Sequence, residues 1–257
     1  MCSLTPYIGV TGFMDQLQVR VILASLPPTQ RKLMVGVLAS YKSLNKIPNR
    51  WTNRFPDVNQ IADIFIEDAR ALNLIHFNTD DRDTIDQQLA KLIELGGEHL
   101  DGFQINMIWP DPDLLRRAFA QRDLRIVLQI GTNAYRHVQM SPQKLAERLD
   151  AYKELVTDIL FDPSGGLGHE LNADAGLPAL RAVHERHPNI GLGIAGGLHA
   201  GSMHLIHAVA REFPHINIDA EGKIRDDADA PLNLHKTAAY IEAAVRELDP
   251  SAHASHA

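Results

Sequence analysis

The run Leu124-Arg125-Ile126-Val127-Leu128-Gln129-Ile130 is almost continuously apolar, and Ser141-Pro142 then opens an amphipathic stretch, Gln143–Val156, ahead of a second apolar run, Asp158–Phe161. A strand buried on both faces reads as such a continuous run rather than as an alternation. Serine followed by proline is a helix start: a hydroxyl caps the first turn, and proline fills a position whose N–H has no partner. Strand, helix and strand in this order predict a parallel pair joined by a right-handed crossover.

The same alternation extends in both directions. Further strand candidates are Tyr7–Thr11, Leu33–Leu38, Leu74–Phe77, Leu100–Ile105, Ile190–Ala195 and Ile216–Asp219, which bring the total to eight. Thr84–Leu95 sets Ile85, Leu89, Leu92 and Ile93 on one helical face. Asn172–His187 and Met203–Phe213 each stop before a proline, and Leu234–Leu248 closes the series. An open doubly wound sheet is the rival arrangement. Its glycine fingerprint is absent, since Gly9-Val10-Thr11-Gly12 does not give GxGxxG. The reading is α/β, a single (β/α)8 or TIM barrel over residues 1–257, with a long loop at 39–57 and a frayed tail at 249–257.

Length and composition agree. The 257 residues fit a barrel of roughly 250 without remainder. Twenty-five basic against 32 acidic residues leave a net charge of −7, which speaks against a surface that tracks nucleic-acid phosphates. The single cysteine, Cys2, allows no internal disulfide, and no apolar run reaches membrane-spanning length. A basic leader is also missing at Met1-Cys2-Ser3-Leu4-Thr5-Pro6, so the expected location is cytoplasmic. Oligomeric state stays open, a homo-oligomer included.

In such a barrel the active site lies at the C-terminal strand ends, with phosphate held after strands seven and eight. Three consecutive loops there are rich in glycine: Asp162-Pro163-Ser164-Gly165-Gly166-Leu167-Gly168, Ala195-Gly196-Gly197-Leu198, and Asp219-Ala220-Glu221-Gly222-Lys223. Backbone N–H groups freed by glycine suit an anion, so Gly165, Gly166, Gly196, Gly197, Gly222 and Lys223 are the candidate phosphate cradle. Other strand ends carry His76, Asn78, Gln104, Asn106 and Gln129, polar groups suited to sugar hydroxyls or a carboxamide. Asp162 follows apolar Ile159-Leu160-Phe161, surroundings in which a carboxyl can serve as a general acid; it reads equally as a cap for Ser164 or Gly165.

These segments resemble phosphoribosylanthranilate isomerase, the tryptophan-pathway enzyme that performs an Amadori rearrangement. The likeness lies in Asp162 with Gly165-Gly166-Leu167-Gly168, in Ala195-Gly196-Gly197-Leu198, in Gly222-Lys223-Ile224-Arg225-Asp226, and in the opening Tyr7-Ile8-Gly9-Val10-Thr11 through Asp15. The resemblance implies a small phosphorylated metabolite as ligand, no cofactor, and Asp162 as the acid that protonates the ribose ring oxygen. The family's base, a cysteine just before the strand-one glycine, is Ile8 here. Cys2 is too far upstream to substitute, since each extended residue advances about 3.3 Å.

His76, with an ordinary pKa of about 6.5, is the candidate replacement base, against the reading of a hydrogen-bonded core histidine. Lys42 reads as a solvated loop lysine rather than a Schiff-base former. The family's arginine after strand two has no evident counterpart, with Arg50 and Arg54 lying further along the loop. Of 13 histidines, the helical pairs His184/His187 and His204/His207 read as surface residues, and His169-Glu170 as a ligand-facing pair at most; no metal is expected. Two functions stand side by side: an isomerase or related proton-transfer or carbon–carbon enzyme, or a non-catalytic, regulatory barrel that has lost its base.

Overall fold

Alternate residues of each strand face the lumen of a closed barrel, and that parity sorts the interior into layers. The strands are β1 (Tyr7–Thr11), β2 (Lys32–Ser40), β3 (Ala71–Asn78), β4 (Gly102–Ile105), β5 (Arg125–Gly131), β6 (Asp158–Asp162), β7 (Gly191–Ala195) and β8 (Asn217–Ala220). All are parallel, they pair in sequence order, and β8 closes onto β1. The computed structural model describes residues 4–162 and 173–249.

At the N-terminal end the lumen is plugged by polar groups that satisfy one another. Arg125 grips Asp158 with two bonds, Nε to Oδ2 at 2.9 Å and Nη2 to Oδ1 at 2.8 Å. Asn217 Nδ2 donates to the same Oδ1 at 2.9 Å, and its own Oδ1 accepts the Tyr7 N–H at 2.9 Å. The guanidinium carbon also stands 5.0 Å from the centre of the Tyr7 ring. Above this plug Met34, Leu72, Leu74, Val127 and Leu160 fill the barrel with apolar side chains. A larger apolar shell lies between strands and helices, where burial of each large side chain stabilises by roughly 1.5–3 kcal/mol.

The helices follow the sequence patterns with local exceptions. Ile85–Gly96 buries Ile85, Leu89 and Leu92, while Ile93 is only partly covered. Leu234–Leu248 matches its expected span, and Asn233 caps it by accepting from the Lys236 N–H at 3.1 Å. Ser141 caps Pro142–Arg148 as its position predicts, accepting from Lys144 N at 3.3 Å, but the helix tightens into a 3-10 turn at Leu149–Ala151 and ends short of Val156. The expected Met203–Phe213 helix is two pieces, a 3-10 segment Ala200–Ile206 and an α-helix His207–Glu212. His199 starts it early, because its Nδ1 accepts the Gly201 N–H at 3.2 Å while Ser202 Oγ accepts the His199 N–H at 2.9 Å.

The stretch read as a loop at 39–57 also differs. Ala39 and Ser40 belong to β2, and Ser40 caps a short helix, Tyr41–Leu44. Val35 to Ala39 are buried through the sheet, so the strand runs on until the serine offers a helix start.

Candidate functional site

One layer of inward-facing side chains sits near the C-terminal strand ends: Thr11 on β1, His76 on β3, Gln104 on β4, Gln129 on β5, Asp162 on β6 and Asp219 on β8. All six are buried. His76 and Gln104 are register partners on neighbouring strands, so their side chains rise together, with His76 Nδ1 3.3 Å from Gln104 Nε2. Gln104 Nε2 also reaches Gln129 Oε1 at 3.1 Å and Asp219 Oδ2 at 3.2 Å. Since β4 and β8 stand on opposite sides of an eight-stranded barrel, that last bond crosses the lumen. Gln129 Nε2 then donates to Asp162 Oδ2 at 2.9 Å. Thr11 Oγ1 lies 3.1 and 3.0 Å from the two Asp219 oxygens. The result is one connected strip, Asp162–Gln129–Gln104–Asp219–Thr11, with His76 attached at Gln104.

Burial shifts two groups of this strip. It pushes the His76 imidazole below its ordinary value, so the ring is neutral at pH 7. It raises the Asp219 carboxyl to about 7, with the nearby charge of Glu221 adding to the effect and the hydrogen bonds from Gln104 and Thr11 opposing it. Gln104 Oε1 is buried without a hydrogen-bond partner among the described residues.

A strap from the segment after β2 reaches this mouth. Arg54, buried, donates from Nη2 to Glu221 Oε1 at 2.6 Å and from Nη1 to Ala228 O at 3.2 Å, and its guanidinium lies 4.6 Å from the Trp51 ring centre. Asn53 adds two bonds to Asp229, at 3.1 and 3.2 Å. Arg225 is buried next to it, donating from Nη2 to Thr11 O at 3.0 Å and from Nη1 to Ala230 O at 2.7 Å. Burial and the charge of Arg54 bring Arg225 down to about 10.

Of the residues anticipated from sequence, His76, Gln104, Gln129 and Asp162 come together in this layer. Asn78 is exposed at the end of β3, and Asn106, just beyond β4, is half-buried; neither enters the strip. Gly196 and Gly197 follow β7 with φ of 118° and 62°, left-handed values that favour glycine. Gly222 and Lys223 are exposed, and the buried cation beyond β8 is Arg225 instead. Gly165 and Gly166 lie outside the described residues, as do His169 and Glu170. Lys42 is exposed.

Ile8 faces the outer apolar shell, fully buried. His187 is not on the surface as its pattern predicts: it is buried with Nε2 2.8 Å from Ala146 O, because it ends its helix facing the neighbouring one. His184 stacks edge-on against Phe213, His204 Nδ1 lies 3.1 Å from Gly201 O, and His207 Nδ1 lies 2.7 Å from Glu247 Oε1. Among the described residues no three His, Cys, Asp or Glu side chains gather as metal ligands.

The sequence pattern names Asp219, Arg54 and Arg225 without assigning any of them to the site. Asp219 was legible in principle: Asn217 and Asp219 share one face of an otherwise apolar strand. A cavity of about 1030 Å³ opens at the other end of the barrel, lined by Arg125, Asp158, His187 and Asn217 among others. Arg125, Asp158 and Asn217 of that lining are bound to one another in the plug and His187 is bound to Ala146 O, whereas buried titratable groups converge at the mouth, which is taken as the candidate site.

Fold and site together define a (β/α)8, or TIM, barrel with a carboxyl–amide–imidazole layer at its C-terminal mouth. The sequence matches no protein-family model and no curated protein. Among solved structures the chain is similar to N-(5'-phosphoribosyl)anthranilate isomerase from Pyrococcus furiosus, with a TM-score of 0.60 and 13% identity over 93% of this chain and 98% of that one. It is also similar to Rhizobium etli pyruvate carboxylase crystallised without acetyl coenzyme-A, at a TM-score of 0.54 and 11% identity over 96% of this chain but only 28% of the carboxylase. At these identities the likeness is one of fold. No helix among the described residues is long and apolar enough to cross a membrane.

Proposed function

We propose that this barrel is an enzyme that isomerises a small phosphorylated metabolite by proton transfer, in the manner of phosphoribosylanthranilate isomerase, with Asp162 as the general acid. The observation that carries the reading is the placement of Asp162 Oδ2 on Gln129 Nε2, 2.9 Å apart, at the head of a buried acid–base strip that includes His76. An acid held by a fixed amide in a layer shielded from water is suited to protonating a ring oxygen at one position only. His76, neutral and facing Gln104 through Nδ1, polarises a substrate oxygen through its other nitrogen whenever Nδ1 accepts. The left-handed pair Gly196-Gly197, beside the strip, supports a phosphate held by backbone N–H groups, together with Gly165, Gly166, Gly222 and Lys223. Asn78 and Asn106 stand at the rim, where substrate hydroxyls would enter.

The test is turnover of phosphoribosylanthranilate, then of a panel of phosphorylated aldoses, by the wild type and Asp162→Asn. Turnover by the wild type and its loss in the variant are expected. Gly197→Asp should abolish the melting shift caused by a phosphorylated ligand and leave the fold intact. No turnover and no melting shift with any phosphorylated compound would sink the reading.

A further inference from the structure

We propose that Asp219 is the second proton-exchanging group of the mouth, paired with Asp162 through the Gln104–Gln129 amide bridge. The proposal rests on the isomerase reading above and adds to it the residue that moves the carbon-bound proton.

Three observations converge on Asp219. The first is position: it is the register partner of Gly9 on β1, the glycine that follows Ile8, and a Cβ at Gly9 would stand 2.8 Å from Asp219 Oδ1. The carboxyl therefore occupies the lumen beside β1, on the face that Gly9 and Thr11 share and opposite the one that Ile8 turns to the outer shell.

The second is its company. Its hydrogen-bond partners among the described residues are the neutral Thr11 hydroxyl and Gln104 amide, and none of the ion pairs there includes it. A structural buried carboxylate is ordinarily matched by a cation, as Asp158 is by Arg125 at the far end of the same barrel. The charged and titratable groups around Asp219 are Glu221 beyond β8 with its partner Arg54, Asp162 on β6, Tyr7 on β1 and Tyr240 on Leu234–Leu248. Burial keeps both phenols neutral, so the field at Asp219 is set by carboxylates.

The third is a count of hydrogens. Gln104 Nε2 carries two, while His76 Nδ1, Gln129 Oε1 and Asp219 Oδ2 all lie within 3.3 Å. An ionised Asp219 leaves one of the three short, whereas a protonated one donating to Thr11 Oγ1 asks less of the amide. The site thus tolerates both states of this carboxyl, and its value of about 7 fits a group that exchanges protons at neutral pH.

On an open-chain α-hydroxy iminium, formed when Asp162 gives its proton to the ring oxygen, the Asp219 carboxylate takes the proton from the hydroxyl-bearing carbon. The C–H electron pair becomes the carbon–carbon double bond of the enolamine, and the C=N π pair moves onto the nitrogen, which becomes neutral. Protonated Asp219 returns its proton to the adjacent carbon, and the enol hydroxyl proton passes to the Asp162 carboxylate, leaving a ketone. Both carboxyls end as they began.

Carbon-detected NMR of the aspartate carboxyls in the wild type and in Asp219→Asn tests the proton, and turnover against pH tests its use. A carboxyl titrating near neutrality should be present in the wild type and absent from the variant. In Thr11→Val, which keeps the carboxyl and serves if Asp219→Asn does not fold, it should move upward. Turnover in Asp219→Asn should fall by about 100-fold or more, with loss of the limb in which rate rises through neutral pH and with little change in KM. A neutral titration that is missing from the wild type, or that persists in Asp219→Asn, overturns the proposal. So does a variant with the wild-type rate and limb. If the wild type turns over no phosphorylated substrate, the isomerase reading falls, and the proton-exchanging role of Asp219 stands or falls on the titration.

Discussion

Gln104 Nε2 lies 3.1 Å from Gln129 Oε1, and that one bond joins the two mouth carboxyls into a single strip. Gln104→Leu, close in volume, breaks it. The Gln104 hydrogen bond favours the charged form of Asp219, so the Asp219 titration should move upward in the variant. Carboxyl NMR reads this directly, and an unmoved titration would mean that the amide does not tune the acid.

Stability should depend on pH through the same group. Folded Asp219 titrates at about 7, well above an ordinary carboxyl. Between about pH 4 and 7 the folded chain therefore keeps a proton that the unfolded chain releases. The stabilisation is fully present below about pH 4 and is lost as pH rises through 7, at about 1.4 kcal/mol per pH unit inside that window. Asp219→Asn cannot ionise. Its melting temperature should exceed the wild type's at pH 8, and calorimetry should show the gap closing toward pH 4.

Glu221 raises Asp219 by its charge. Glu221→Gln should bring the Asp219 titration down. The same change weakens the 2.6 Å tie to Arg54, so amide exchange in residues 51–54 should quicken. Unchanged exchange would assign the strap's hold to the Asn53–Asp229 bonds instead.

At the opposite end, Asp158→Ala leaves Arg125 buried without its carboxylate. The expected loss is about 3–5 kcal/mol in urea denaturation, the range for breaking one side of a buried pair. The Asp219 titration, belonging to the other layer, should stay where it is.

Gly12 has φ of 112°, and a Cβ there would stand 1.7 Å from Arg225 Nη2. Gly12→Ala should cost about 1–3 kcal/mol and displace the guanidinium from Thr11 O. A fully stable variant would show that Arg225 has a second seat.

The barrel was legible because its evidence is local: each strand is a short apolar run, and each helix carries its own start or stop, such as Ser141-Pro142 or the proline after His187. Four of the six side chains of the candidate layer were legible for a related reason, since His76, Gln104, Gln129 and Asp162 are polar residues inside or at the end of apolar runs. Asp219 ends the apolar run Ile216–Asp219 and opens a glycine-containing loop, so from sequence it reads with the anion loop; strand parity places its side chain in the lumen. Arg54 and Arg225 could not be found that way. Their positions depend on how two irregular segments meet, on bonds such as Arg54 to Glu221 that join residues distant in the chain.

The plug formed by Arg125, Asp158, Asn217 and Tyr7 closes the lumen at its N-terminal end. For a barrel built like this, the sealed floor keeps the buried carboxyl–amide layer from being flushed by solvent from below.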